Sequence, residues 1–350
     1  MVALGVLLHT IGGFAAGTFY VPLRKIKGWA WESGWLVNGI FSWLIAPLVV
    51  ASMVVPNLAE LLAAIPWSAM AWTYFFGLLW GIGGLTFGLS CRYLGVSLGG
   101  SVALGFCAFF GTIVPPIYDG EFLALLKSAS GLVMLFGLAV CLIGIGFCGV
   151  AGMAKERDLA TPNQQENQHE FHFLKGVLVA LFAGLMSACM SFAFRAGASI
   201  AELSTQHGVA DLWKNTPVLV VILAGGFTTN ALWCIFLNVK NRSAGDYLGK
   251  TEGNAKRNYL LAAIAGVTWY LQFMFYGMGS TKMGRYDFSS WTLHMAFIII
   301  FSNLWGIRLG EWEGTRARTR QLVITGIVVV FFSTIIVGIS NYLGTTSTGH

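Results

Sequence analysis

Charge is what this chain has least of. Lys and Arg number 21 and Asp and Glu 15, so charged side chains are 10% of 350 residues, against about 25% in ordinary soluble domains. Proline is sparse as well, with eight, so little interrupts long helical runs. The six cysteines (Cys91, Cys107, Cys141, Cys148, Cys189 and Cys234) lie inside or at the ends of apolar runs. None forms a CxxC pair or stands at ligand spacing from a histidine, which gives no support to a disulfide framework or a zinc site. HExxH, GxSxG and paired carboxylates at catalytic spacing are missing, so nothing points to a membrane enzyme. The Gly81-Ile82-Gly83-Gly84 run sits in an apolar segment with no strand before it and is not a nucleotide loop. No cofactor or metal is expected. The net charge of +6 comes without a basic patch interleaved with aromatics, so nucleic acid is not an expected partner.

What remains is apolar. Hydrophobic residues make up 56%, with 44 glycines and 13 tryptophans, the composition of a polytopic helical membrane protein. A spanning helix needs about 20 mostly apolar residues. On that measure ten helices are expected, near 2–22, 34–55, 69–91, 95–116, 131–151, 173–194, 216–238, 259–280, 288–308 and 321–343. The polar interval 152–172 reads as a solvated linker between a first five-helix half, 1–151, and a second, 173–350. Most basic residues fall in the odd-numbered connections, among them Arg24, Lys25, Lys155, Lys240 and Arg316. The positive-inside rule therefore makes those connections cytoplasmic and both termini periplasmic. The first apolar run stays as a helix, because its basic cluster follows it instead of preceding it.

A weak repeat joins the halves. Trp80-x7-Gly88-x6-Gly95 recurs as Trp269-x7-Gly277-x6-Gly284 five helices later. An odd number of helices between copies inverts the second half, the plan of many secondary transporters with solute bound near the midplane. Gly77, Gly81, Gly84 and Gly88 form a smooth seam along the third helix, for close packing.

Polar groups inside apolar runs are the candidates for function. Trp269, Gln272, Phe273 and Tyr276 stand at i, i+3, i+4 and i+7, placing an amide among aromatic rings. After Gly277-Met278-Gly279-Ser280, the spacing sets Asp287, Trp291 and His294 on one face of the ninth helix, with Asp287 either its N-cap or a proton acceptor. His9 and His294 are expected at similar depth, about 10 Å in from the same end, and imidazole titrates near physiological pH. Each is either an interhelical hydrogen-bonding group or a proton carrier. Arg195, closing the sixth helix, either snorkels to the interface or donates to solute hydroxyls. Asn38 either bonds a neighbouring helix or lines the path.

Four segments carry a resemblance: FYVPLRKIKGWAWES (19–33), WGIGGLTFGLSCRYLGVSLG (80–99), WYLQFMFYGMG (269–279) and YDFSSWTLHM (286–295). They resemble the bacterial L-rhamnose–proton symporters of the drug/metabolite transporter superfamily. The resemblance runs over essentially the whole chain. It implies an all-α integral membrane protein of ten helices in two inverted five-helix repeats, in the inner membrane, importing a 6-deoxyhexose with a proton by alternating access. The positions within those segments are Tyr20, Trp80, Arg92, Tyr270, Gln272, Tyr276, Asp287, Trp291 and His294. Trp80, Tyr276 and Trp291 are expected to face the sugar's apolar side, and Gln272, Asn38, Tyr20 and Arg195 its hydroxyls. His294, Asp287 and His9 are the candidates for the proton. An exporter of small amphipathic metabolites with the same fold is the alternative.

Overall fold

The structure, a computed structural model, describes residues 2–94, 96–160, 173–250 and 253–346. Among the described residues ten helices are long and apolar enough to cross a membrane, and the chain is a multi-pass, all-helical membrane protein. In order they are α1 (Val2–Thr18), α2 (Trp31–Val54), α3 (Trp67–Leu94), α4 (Val96–Tyr118) and α5 (Ala129–Leu159), then α6 (Phe173–Ala196), α7 (Thr216–Asn241), α8 (Ala255–Ser280), α9 (Ser290–Arg308) and α10 (Ala317–Thr346). Helix is the expected answer to hydrocarbon, where every backbone group must be satisfied within its own segment. Where helices emerge, side chains take over: Ser128 Oγ accepts from Gly131 N–H at 3.0 Å before α5, and Asn254 Oδ1 from Arg257 N–H at 3.1 Å before α8.

Helix ends shift by up to about four residues from expectation at several places, and two differences matter most. The residues from 152 continue α5 as helix to Leu159, because Ala, Lys, Glu, Arg and Leu there are good helix formers. Asp158 Oδ2 then accepts from Thr319 Oγ1 at 2.6 Å and from Arg316 N–H at 2.9 Å, tying this end to the start of α10. The rest of the expected linker, 161–172, lies outside the described residues. The ninth helix begins at Ser290, preceded by a 3₁₀ turn over Gly284–Ser289. Inside α2 the residues Ile40–Ile45 form a π-turn. Pro47 lies just beyond; it has no N–H, and its ring clashes with the carbonyl four residues back, so a widened turn relieves the crowding.

Small residues set which helices meet. The buried stripe of α1 holds Gly5, Leu8, His9, Gly12, Gly13, Ala15 and Ala16, while Leu4, Leu7, Ile11 and Phe14 face outward. A side chain at Gly12 would press on the Gln272 carbonyl of α8, and one at Gly13 or Gly17 on Phe297 or Phe301 of α9. So α1 is wedged between α8 and α9. The expected seam of α3 divides. Gly77 and Gly81 meet α7 at Ile222 and Thr229, Gly83 meets α6 at Ser187, and Gly84 and Gly88 face open space.

The main packings come in pairs. α3 rests on α6 as α8 rests on α1; α4 on α6 as α9 on α1; α3 on α7 as α8 on α2; and α5 on α10 maps to itself. Exchanging each helix with the one five places away converts one member of a pair into the other.

The glycine contacts predict opposite outcomes within one helix. Gly77→Ala, whose Cβ would overlap the Ile222 carbonyl, should lower stability by about 1–3 kcal/mol, whereas Gly84→Ala should leave it unchanged or raise it slightly. Thermal unfolding of the two purified variants in detergent checks both.

Candidate functional site

The chain has two unlike ends. The basic end gathers Arg24, Lys155, Lys240 and Arg316, and the opposite end gathers Asp119, Arg195, Lys214 and Asp287. A cavity of about 420 Å³ is lined by residues of that second end, within the range of small-molecule sites. Its walls include Pro115 and Asp119 at the end of α4, Ser191, Phe194 and Arg195 of α6, Asn215 before α7, Tyr276 and Ser280 of α8, and Asp287.

Its polar groups are held in place. Arg195 grips Asp119 with two nitrogens, Nε at 3.1 Å and an NH2 at 2.6 Å, a forked pairing that fixes both planes. Asn215 Nδ2 donates to the Gly277 carbonyl at 2.8 Å and to Ser280 Oγ at 3.1 Å, and Ser191 Oγ donates to the Gly111 carbonyl at 2.9 Å. At the rim Asp211 accepts from Lys214 and Lys282, each at 2.9 Å. Donors and acceptors thus face a half-apolar space, which suits a ligand with hydroxyls on one side and carbon on the other.

Tyr276 joins this cavity to a buried aromatic cluster. Its ring centroid is 5.2 Å from His294, 5.5 Å from His9 and 5.6 Å from Trp291, and the two imidazoles are 6.5 Å apart. Three helices meet here: α1 brings His9, α8 brings Tyr276, and α9 brings Trp291 and His294. Gly279 lets His9 approach, since any side chain there would strike its ring. Trp291 is locked by a hydrogen bond from Nε1 to the Cys107 carbonyl at 3.0 Å and lies against Gly111, where a Cβ would collide with the indole. The histidines are the exception to this order. His9 is 0% and His294 1% exposed, and all four of their ring nitrogens lack a partner among the described residues. Unpaired polar atoms at this depth are costly, which sets the pair apart from its surroundings.

The basic-end side of the path is filled. Trp269 packs 4.3 Å from Phe19, 5.0 Å from Trp35 and 5.4 Å from Trp43 between ring centroids. Trp80 closes the layer at 5.9 Å from Trp43 and 5.2 Å from Phe273. Outside it, Glu311 pairs with Arg24 and with Lys155. Glu32 accepts from Asn241 at 2.9 Å and Ser243 at 2.8 Å, and Asp246 accepts from Ala30 N–H at 2.8 Å. The cavity thus lies at one end of the bundle and the packed aromatic layer and these pairings toward the other.

Of the residues singled out from sequence, His9, Tyr276, Trp291 and His294 come together, and Arg195, Tyr276 and Asp287 line the cavity. Asp287 does not share a helical face with Trp291 and His294. It stands exposed in the 3₁₀ turn and is not the N-cap, a position held by Ser289, because Gly284, at φ 64°, turns the chain before α9 starts. Trp80 belongs to the aromatic layer, Gln272 is buried one turn from Tyr276 toward the basic end, and Asn38 is buried in α2. Tyr20 is half-exposed at the basic end of α1, remote from the cavity. Asp119, Ser191, Asn215 and Ser280 were missed; only Ser280, beside the glycine break, carried any signal, since the others meet the cavity through tertiary packing alone.

Two measurements follow from this asymmetry. In a Cys91→Ser background, Ser280→Cys should react with a water-soluble maleimide much faster than Ser42→Cys, whose position is 0% exposed, while the other native cysteines are buried. The second concerns Glu311. Burial raises its carboxyl pKa, but the hydrogen bond from Arg24 and the charge of Lys155 outweigh this and hold it below the ordinary value. Such a group stabilises above its unfolded pKa of about 4.3 and loses that contribution as pH falls through the lowered folded value. Amide exchange across 309–316 should therefore accelerate in that acid window, and Glu311→Gln should show the same acceleration already at neutral pH.

Comparison with known proteins gives the family. The sequence profile of the L-rhamnose-proton symport protein (RhaT) family matches residues 1–342. The L-rhamnose-proton symporter of Shigella boydii is 36% identical over 341 residues, covering 97% of this chain and 98% of that one. Its counterpart in Escherichia coli is 35% identical over the same span. A solved structure with 12% identity overlays at a TM-score of 0.48, covering 96% of this chain and 98% of that one, too weak a likeness to bear on function. These relatives are transporters and not enzymes, and the chain belongs to the L-rhamnose–proton symporter family.

Proposed function

We propose that this chain imports a 6-deoxyhexose, L-rhamnose first among them, together with a proton, by alternating access across a bacterial inner membrane. The observation that carries the proton half is the His9–Tyr276–His294 cluster: two unpartnered imidazoles beneath a polar cavity, separated from it by one tyrosine ring. The sugar half rests on the family and on the cavity's mixture of fixed polar groups and aromatic faces.

The basic end is cytoplasmic on this reading and both termini are periplasmic, in keeping with the charge bias. The cavity then opens outward. Sugar enters between α4, α6, α7 and α8, with Tyr276 and Phe194 against its apolar side and Arg195, Asn215, Ser280 and Ser191 near its hydroxyls. The paired packings support two inverted five-helix halves in the drug/metabolite transporter plan. Rocking one half against the other would close the cavity and part the aromatic layer.

A proton drives the cycle only if the two states bind it differently. An isolated imidazolium among aromatic rings is unstable; shared between His9 and His294 it gains a hydrogen-bond acceptor. The rings must close from 6.5 Å to make that bond, so protonation is tied to a shift of α1 against α9. Asp287, exposed at the rim, tunes sugar entry and does not carry the proton.

The test is pH change in unbuffered, de-energised cells on adding L-rhamnose, with L-fucose, L-lyxose and L-mannose in turn. Alkalinisation is expected with L-rhamnose. His294→Gln and His9→Gln should each abolish it while keeping sugar counterflow, and Asp287→Asn should keep it. No alkalinisation with any sugar from a correctly inserted protein overturns the proposal and favours efflux.

A further inference from the structure

A second group of unpaired polar atoms lies apart from the cavity and the histidines. Asn38 and Ser42 are 0% exposed, Tyr270 1% and Trp43 2%. Asn38 Oδ1 and Nδ2, Ser42 Oγ, Trp43 Nε1 and Tyr270 OH all lack a hydrogen-bond partner among the described residues. None of the four lines the cavity. A lone orphan of this kind has local explanations; several at one helix contact need a common one.

They sit at one contact. Gly266 of α8 seats its backbone on α2, where a Cβ would press on the Asn38 carbonyl and the Phe41 side chain. Tyr270 follows one turn later on α8, and its neighbour Trp269 packs 5.4 Å from Trp43. Asn38, Ser42 and Trp43 span the entry and the body of the π-turn Ile40–Ile45. That turn lies about 14 Å along α2 from the basic end, near mid-membrane. Extra turns of this kind inside α-helices recur where a chain handles ligands. The chemistry is also complete for one class of solute. An amide and two hydroxyls both donate and accept, an indole N–H donates, and the rings of Trp43 and Trp269 offer apolar faces. A pyranose presents hydroxyls and a C–H face in that combination.

We propose that Asn38, Ser42, Trp43 and Tyr270 form a second sugar subsite on the basic-end side of the path, closed here and filled when the aromatic layer parts. It rests on the reading of the chain as a sugar transporter. The sugar would leave the outer cavity past Tyr276 and exchange its hydrogen bonds for those of the π-turn before release. In the closed conformation the orphaned atoms weaken the α2–α8 contact, which favours reopening.

The experiment measures L-rhamnose counterflow from each face separately, in right-side-out and inside-out vesicles. The variants are Tyr270→Phe, Ser42→Ala and Asn38→Leu, with thermal unfolding of each. Because the groups are unpaired here, all three should fold with unchanged or raised melting temperature. Half-saturation from the basic face should weaken about tenfold per variant, the value of one hydrogen bond, with half-saturation from the cavity face unmoved. Equal weakening from both faces, or no change in either, overturns the subsite and leaves the transport reading intact; so does a fall in melting temperature shared by all three, which would mean a structural role. Wild-type protein that moves no L-rhamnose from either face overturns the transport reading itself, and the subsite with it.

Discussion

The rest of the structure depends on one constraint: at membrane depth there is no water to complete an unmade hydrogen bond. Most buried polar groups obey it by local means. Ser204 and Ser333 bond backward to their own helices, Asn230 reaches the Gly226 carbonyl at 2.9 Å, and Thr112 and Thr292 satisfy one another across α4 and α9 at 2.7 Å. Against that background Thr73, Tyr247 and Ser290 are scattered exceptions, whereas His9 with His294, and Asn38, Ser42 and Trp43 with Tyr270, stand out because they are unpaired in groups. In a soluble protein such atoms would invite a bound water. On the two proposals made above, their partners come and go, a proton at one place and a hydroxylated solute at the other.

Glycine is the means by which the constraint is turned into geometry. Gly12, Gly13 and Gly17 bring α1 against α8 and α9, and Gly279 opens the space that the His9 ring occupies. Gly111 does the same for the Trp291 indole and Gly266 for the π-turn. Each places an aromatic or polar group from one helix against the bare backbone of another. Such contacts slide more readily than interlocked side chains, since little must be lifted out of a groove. On the proposed alternating-access cycle, a protein that must hold two arrangements of the same helices gains from this. The polar fastenings stand at the two ends instead: Glu311 between Arg24 and Lys155 and Glu32 between Asn241 and Ser243 at the basic end, Asp119 with Arg195 and Asp211 with Lys214 and Lys282 at the other. The ion pairs are partly exposed and can part into water at modest cost, whereas Glu32 is buried and held by its two hydrogen bonds.

Much of this fold is legible in the amino-acid sequence. Ten apolar runs of the right length become ten helices whose ends fall within about four residues of expectation, the end of α5 excepted, because length and hydropathy largely decide what crosses a bilayer. The four-way meeting of His9, Tyr276, Trp291 and His294 is half legible: helical spacing puts Trp291 with His294, but only packing can bring α1 to them. Asp287 shows where spacing misleads, since it assumes a helix that Gly284 postpones. Asp119, Ser191 and Asn215 are beyond reach, because a polar residue at a helix end has the same local signature whether it faces water or a cavity. The π-turn has a sequence cause in Pro47, yet a proline near the middle of an apolar run equally predicts a kink.

On the proposed mechanism the two unpaired clusters have complementary energetics. The proton cluster lies under the open cavity and the π-turn cluster beneath the closed layer. A ligand shifts a two-state equilibrium only by its difference in affinity for the two states, about 1.4 kcal/mol for each tenfold. If one cluster offered all its hydrogen bonds in both states, filling it would hold the protein still. Dividing them avoids this. The histidines can pair only if α1 and α9 move together, and the π-turn can bond only once the layer has parted, so both occupancies draw the protein out of the conformation described here. Sugar held first against Tyr276 and then against Asn38 would be bound in either state with similar strength, while the closed π-turn keeps the empty protein from resting too deeply in the outward form. Small residues where helices meet, unpaired polar atoms clustered where the proposed ligands pass, and ion pairs kept to the ends of the bundle all follow from excluding water from the interior.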